Sequence, residues 1–406
     1  MNHYGRNIGL NYLFVTLSTL NLTHGIWMIY LALRGFSLVE LGILEGIYHI
    51  TSFLMEVPTG AIADLWGRKI SRLLGRLVAV LSVAIMFFSS SFLLQALGFI
   101  FTALGNNLES GAGDALVYDS LLLDGKQESY IKVAGKQELF YESASIISFI
   151  VGGYLAVHSY RAVFYLTMFF YATATVCSLF FKEPEFIKTS NLSKPSSLFC
   201  KIASSLKTQN LESLALLKKQ GRITFFIVFS ESLFCFITVL FFYLQNFWTA
   251  NGKTEYQIGL VFAANALVTG VTALFAARIE RKIGEKGILT FMPLLMVLCL
   301  WGVALSEYRE FFYVLTGCIG GILVAAIGAY LNRLIPSGQR ATILSIQSMA
   351  FSFFMILMFP AVGLIGSHWS LELAFVAMAV LASILCIAYL WVFKPFSLPS
   401  YKKKEE

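Results

Sequence analysis

Twelve long apolar runs constrain this chain more than any other feature. They cover approximately residues 8–33, 38–62, 72–91, 93–122, 137–157, 162–181, 223–246, 257–277, 288–306, 311–333, 342–365 and 371–393. Each has about the 20 residues that a helix needs to cross a bilayer. Inside hydrocarbon every backbone N–H and C=O must find a partner within the protein, and an apolar run of this length does so as a helix. The expectation is an all-α membrane protein with twelve transmembrane helices. Composition agrees: 57% of the 406 residues are hydrophobic and 13% charged, against about 45–50% and about 25% in soluble domains. The first run follows a lone Arg6 but has no small-residue cleavage site and continues through Trp27 to Leu33. It reads as a first helix rather than a removable leader.

The runs divide six and six. The expected organisation is an N-terminal half over 1–182, a cytoplasmic linker with an amphipathic helix over 183–221, a C-terminal half over 222–394 and a tail over 395–406. With both termini inside, 26 of the 30 Lys and Arg fall on inner segments and only Arg34, Arg161, Lys253 and Arg309 on outer ones. This is the positive-inside bias. It points to a multi-pass plasma-membrane protein with cytoplasmic termini, and it accounts for the net charge of +7 without a nucleic-acid partner. Five of the six Cys lie in apolar runs and no C-x-x-C spacing occurs, so neither a metal site nor a redox site is expected.

Two six-helix halves suggest an internal repeat with the solute site at the interface. Faint echoes support it. Gly67-Arg68-Lys69 follows the second helix of the first half, and Gly284-Glu285-Lys286 follows the second helix of the other. In the fifth helices, Ser148-Phe149-x-x-Gly152-Gly153 stands against Phe359-Pro360-x-x-Gly363-Leu364. The most informative stretch is Gly60-x-x-x-Asp64-x-x-Gly67-Arg68-Lys69, at the inner end of helix 2. Gly60 would let another helix approach closely, Asp64 could accept hydrogen bonds from a helix N-terminus, and Gly67 permits a tight turn.

This stretch resembles the signature loop of the major facilitator superfamily, and the resemblance extends over essentially the whole chain. It implies a conformational latch between the halves, with Asp64 near the start of helix 11, where Arg340 is a candidate partner. It also implies that Arg68 pairs with Asp119 at the inner end of helix 4. Among family members the drug:proton antiporters are the suggested likeness, with two departures. Helix 4 carries Glu109-Ser-Gly-Ala-Gly-Asp114 in place of their Arg motif, and helix 5 lacks their Pro.

Acids inside apolar spans are functional candidates by default, because a carboxyl in a low-dielectric site can exchange a proton near physiological pH. Glu109 is the first choice for proton coupling and Asp114 the second, although the two point about 140° apart on an ideal helix. Glu142 and Glu231 are further candidates. His24, Trp27 and Tyr30 in helix 1 and Tyr243, Gln245 and Asn246 in helix 7 are the expected cavity residues. An aromatic cavity with one or two acids would suit an amphipathic or cationic solute. No zincin, nucleophile-elbow or P-loop motif is present, so neither an enzyme nor an ATP-driven pump is expected. The expected function is a cofactor-free, monomeric secondary transporter exporting a small amphipathic or drug-like molecule against protons. Uptake or facilitated entry of a small nutrient is the alternative, and a non-transporting membrane sensor a third reading.

Overall fold

The structure is a computed structural model that describes residues 4–184, 221–334 and 340–393. The expected linker and tail lie almost wholly outside the described residues, as does the side chain of Arg340. The helices are α1 (Gly5–Thr19), α2 (Trp27–Leu33), α3 (Leu38–Trp66), α4 (Arg68–Phe88), α5 (Phe92–Leu123), α6 (Tyr130–His158), α7 (Tyr160–Leu179), α8 (Gly221–Ala250), α9 (Glu255–Leu305), α10 (Arg309–Leu334), α11 (Arg340–His368) and α12 (Leu371–Phe393). Among the described residues, nine of them are long and apolar enough to cross a membrane. Twelve passes follow once three cases are resolved. At 51 residues α9 would measure roughly 75 Å if straight. It is instead two passes joined at Gly284, where φ is 70° and ψ 175°. α5 is long enough but carries Glu109, Asp114 and Asp119. The remaining pass is shared by α1 and α2.

That shared pass differs from the expected continuous helix. Residues Leu20 to Ile26 leave the helical path. The Asn21 side chain accepts from the Thr23 backbone N–H (3.2 Å) and hydroxyl (2.6 Å), a local turn that competes with helix. Unwound backbone is tolerated at membrane depth only where it is buried in protein or faces a cavity, and here other helices satisfy it. Gln245 on α8 accepts from Met28 N and donates to the His24 carbonyl, each at 3.3 Å. Ser148 on α6 donates to the Thr19 carbonyl at 3.1 Å.

One end of the bundle, the basic end, carries the turns at Gly67 and Gly284 and gathers Arg68, Lys69, Lys282 and Lys286. Both glycines have left-handed φ, 100° and 70°, a conformation that side chains other than Gly rarely adopt. The weak sequence echo thus marks two equivalent backbone turns. Within the halves α4 packs on α5 and α7, and α9 on α10 and α12. Between the halves α3 packs on α11 and α6 on α9. Outward-facing Leu93, Leu274, Ile387 and Trp391 expose 79%, 81%, 69% and 74% of their surface. In water so much exposed apolar area is a liability; in a bilayer it is the required outer face.

Candidate functional site

The α3–α11 and α6–α9 crossings are closest at the end opposite the basic one, and glycines make them possible. A Cβ on Gly153 of α6 would stand 2.5 Å from the Glu255 carbonyl oxygen at the start of α9. Gly259 of α9 abuts the Phe149 carbonyl in return. On the other side a Cβ on Gly363 of α11 would stand 2.5 Å from the Leu38 carbonyl oxygen, and one on Gly42 of α3 would stand 2.9 Å from that of Phe359. Tyr243 locks this crossing by donating to the Phe359 carbonyl at 2.7 Å. Tyr160 of α7 donates to Glu255 at 2.6 Å across the halves. Nearer the basic end the halves are joined by Ser345 Oγ and Glu56 Oε1 at 3.4 Å.

Between the halves lies a cavity of about 700 Å³, within the range of small-molecule sites. Its wall is assembled mainly from α1, α3, α4, α5 and α6, with Thr238 and Phe242 from α8 and Phe351 from α11. Toward the basic end the lining is charged: Arg72, Arg76, Glu109, Asp114 and Glu138. Toward the far end it is aromatic: Trp27, Phe99, Phe149 and Phe242. Trp27 meets Phe99 edge-on at 5.1 Å, and the His24 ring lies between Phe241 at 4.9 Å and Phe149 at 6.0 Å. The broken pass ends in this aromatic region, which is why His24 reaches the cavity at all.

Of the acids proposed from sequence, Glu109 and Asp114 line the cavity and Glu142 and Glu231 do not. Glu109 faces Arg72 of α4, whose Nη2 and Nε lie 2.8 and 3.0 Å from Oε1. Arg72 is itself only 1% exposed. It also donates to Asn11 at 2.9 Å and lies 4.1 Å from the Phe14 ring centroid. Asp114 accepts from Gln137 at 3.3 Å. Glu231 is buried away from the cavity, accepting from Ser230 at 2.9 Å and Gln347 at 2.7 Å.

Among the expected cavity residues only His24 and Trp27 line it. Tyr30 donates to the Phe87 carbonyl at 3.0 Å and accepts from Arg34. Tyr243 belongs to the far seal and Gln245 to the broken pass. The Asn246 side-chain amide nitrogen is buried without a hydrogen-bond partner among the described residues. The reason is helix phase: Thr238 and Phe242, four residues apart on one face of α8, meet the cavity, and 243, 245 and 246 turn away. Sequence reading assigned to the cavity neither Glu45, an acid it placed inside a span, nor His49 four residues on in α3, nor Tyr48, Asn106 and Tyr171, all of which line it. It also counted Arg72 and Arg76 among the inner charges, yet both are buried side chains of the cavity wall.

The signature loop is arranged largely within its own half. Arg68 and Asp119 form an ion pair, and Arg68 Nη1 also donates to the Ala115 carbonyl at 2.8 Å. The carboxylate at the N-terminus of α4 is Glu183, not Asp64. It accepts from the backbone N–H groups of Arg68 and Lys69, both at 2.7 Å, where the helix dipole favours negative charge. Gly67 leaves it room, since a Cβ there would stand 2.8 Å from its carboxyl carbon. Asp64 is exposed. Among the described residues nothing lies within 4 Å of a Cβ built on Gly60.

Comparison with known proteins fits this architecture. The family description "Major Facilitator Superfamily" matches residues 8–310 and 250–406. The chain is 24% identical over 371 residues to the uncharacterized MFS-type transporter YxaM of Bacillus subtilis (strain 168), covering 90% of each protein. Among solved structures it is similar to the nucleoside transporter NupG, with TM-score 0.74 and 15% identity over 97% of this chain and 100% of that one. It is also similar to a D-xylose-proton symporter, with TM-score 0.66 and 14% identity over 94% of this chain and 96% of that one. A bacterial homolog of the human lysosomal transporter Spinster, inward-facing and unoccupied, matches with TM-score 0.73 and 12% identity over 96% of each chain. At these identities the structures speak for the fold alone.

Proposed function

The chain belongs to the Major Facilitator Superfamily, and from that premise we propose that it is a proton-coupled secondary transporter that exports a small amphipathic solute by alternating access. The observation that carries this reading is the cavity between the halves, sealed at one end by glycine crossings and lined with charge toward the other. The basic end is the cytoplasmic one by the positive-inside bias, so the conformation is the inward-facing one. The plasma membrane is the site, both termini are cytoplasmic, and the working unit is a monomer.

Closing the basic end would bring the Gly60 face and Asp64 toward the partner half, with Arg340 on α11 the proposed contact. Lys69 joins Arg68 and Asp119 in holding the loop rigid for that docking. The energy comes from protons exchanged at Glu109. While ionised it holds Arg72 in a bidentate pair; once protonated it releases one partner of that pair, a change of one charge in the cavity wall. Asp114, in the same wall, is the second proton site.

Purified protein in vesicles tests this. Glu109→Gln keeps an acceptor for Arg72 but cannot exchange a proton, so solute flux is expected to lose its dependence on an imposed pH gradient while the protein still folds. Undiminished pH-gradient dependence removes Glu109 from the role. Uptake is the second reading, favoured by the missing Pro of helix 5. Inverted and right-side-out vesicles separate the two by the direction of gradient-driven flux.

A further inference from the structure

Two arginines stand one turn apart on α4, and only one is satisfied. Arg72 has Glu109, Asn11 and two aromatic rings around it. Arg76 lines the same cavity at 5% exposure, but its Nε is buried without a hydrogen-bond partner among the described residues. Its Nη2 reaches Asn106 Oδ1 at 3.4 Å, long for such a bond. The guanidinium carbon lies 5.4 Å from the Tyr171 ring centroid, a contact that offsets only part of a buried charge. Among the described residues no carboxylate lies within 4.0 Å of it. The acids that share the cavity are otherwise placed: Glu109 holds Arg72, Asp114 accepts from Gln137, and among the described residues neither Glu45 nor Glu138 forms an ion pair. A buried cation without an anion is unfavourable, and the open space in front of this one is the solute cavity.

We infer that Arg76 receives a carboxylate carried by the solute. This rests on the transport reading and names its substrate class. One unpaired guanidinium calls for one negative charge, and its planar fork matches a carboxylate through two parallel hydrogen bonds. Asn106 and Tyr171 flank the position and complete a polar pocket. The rest of the solute is apolar. Val83 and Met86 line the cavity seven and ten residues beyond Arg76 on α4, about 10–15 Å further along the helix, as do Trp27 and Phe99. The solute is therefore an amphipathic monocarboxylate, the amphipathic rather than the cationic branch of the sequence reading.

The test uses full-length protein in lipid nanodiscs and calorimetric binding of octanoate and 4-phenylbutanoate, with their primary amides and octyl phosphate as comparisons. The carboxylates are expected to bind, and the amides to bind at least about tenfold more weakly, as for loss of a charge-assisted hydrogen bond. Arg76→Gln should weaken carboxylate binding by about 10- to 100-fold and bring acid and amide to the same level. Arg76→Lys, which keeps the charge but not the fork, should retain part of the preference and covers the case in which the Gln variant does not fold.

Equal binding of acid and amide by the unaltered protein overturns the proposal, as does wild-type carboxylate binding by Arg76→Gln or no binding by any member of the panel. Tighter binding of octyl phosphate than octanoate, lost in Arg76→Gln, replaces carboxylate by phosphate. Vesicle flux separates this proposal from its premise. Flux of a neutral or cationic solute that is indifferent to Arg76→Gln overturns the carboxylate and leaves transport standing; no flux of any solute overturns transport itself.

Discussion

Replacing Gly153 by Ala should unseat the far seal and move the protein away from the conformation described here. The Cβ would stand 2.5 Å from the Glu255 carbonyl oxygen, 3.1 Å from the carbonyl carbon and 3.1 Å from the Tyr256 Cα. All three are backbone atoms of α9, so no side chain can swing aside. Restoring an ordinary contact of about 3.4 Å requires α6 and α9 to part by roughly 0.9 Å, and overpacking of this kind costs about 1–3 kcal/mol. That cost falls only on the state in which the seal is closed. It lowers the population of that state relative to the alternative by about 5- to 150-fold, because a ligand-free two-state equilibrium shifts by the full differential energy. Spin labels at the exposed positions Arg161 and Glu307, one in each half at the sealed end, read the change as a longer inter-label distance. Gly135→Ala on the same helix is the control, since nothing lies within 4 Å of a Cβ there. Identical distance distributions for Gly153→Ala and the unaltered protein would refute the argument that these crossings set the conformation.

Three further outcomes follow from single contacts. Arg72→Gln leaves Glu109 without its bidentate partner inside the wall and should cost about 3–5 kcal/mol, read as a large fall in thermal midpoint that Arg76→Gln does not reproduce. Gln245→Leu removes the group that satisfies Met28 N and the His24 carbonyl. It should cost about 1–3 kcal/mol and increase hydrogen exchange at Met28. Glu183→Ala takes the carboxylate from the N-terminus of α4. Cap losses run to about 0.5–2 kcal/mol, so a small drop in stability is expected, with faster exchange confined to the amides of Arg68 and Lys69.

Much of the fold was legible because hydrocarbon leaves the backbone few options, so apolar length alone predicts passes. The site was less legible for the same reason. In a soluble helix polar residues mark the outer face, but here the lipid face and the packed interior are both apolar, and periodicity does not say which side of α8 meets the cavity. Hence Tyr243, Gln245 and Asn246 were expected in the cavity and Thr238 was not. Arg72 and Arg76 lie within the apolar run of helix 3 but were counted with the inner charges, because a guanidinium is costly in hydrocarbon. The helix begins at Arg68, which carries both guanidinium groups inward. Glu45 and His49 carried a readable signal, two polar residues at i,i+4 within an apolar run.

By itself the sequence determined the number of passes, the side on which basic loops gather, and the signature loop that marks the family, since each depends on residue type and order along the chain. Tertiary structure decided which charges are satisfied. Glu109 meets Arg72 across 37 positions, Glu183 reaches Arg68 N across 115, and Arg76 meets no carboxylate among the described residues. Hydrogen bonds and ion pairs act over about 3 Å in space irrespective of separation along the chain, so only the packed helices could distinguish the arginine that holds the wall from the one that faces the solute.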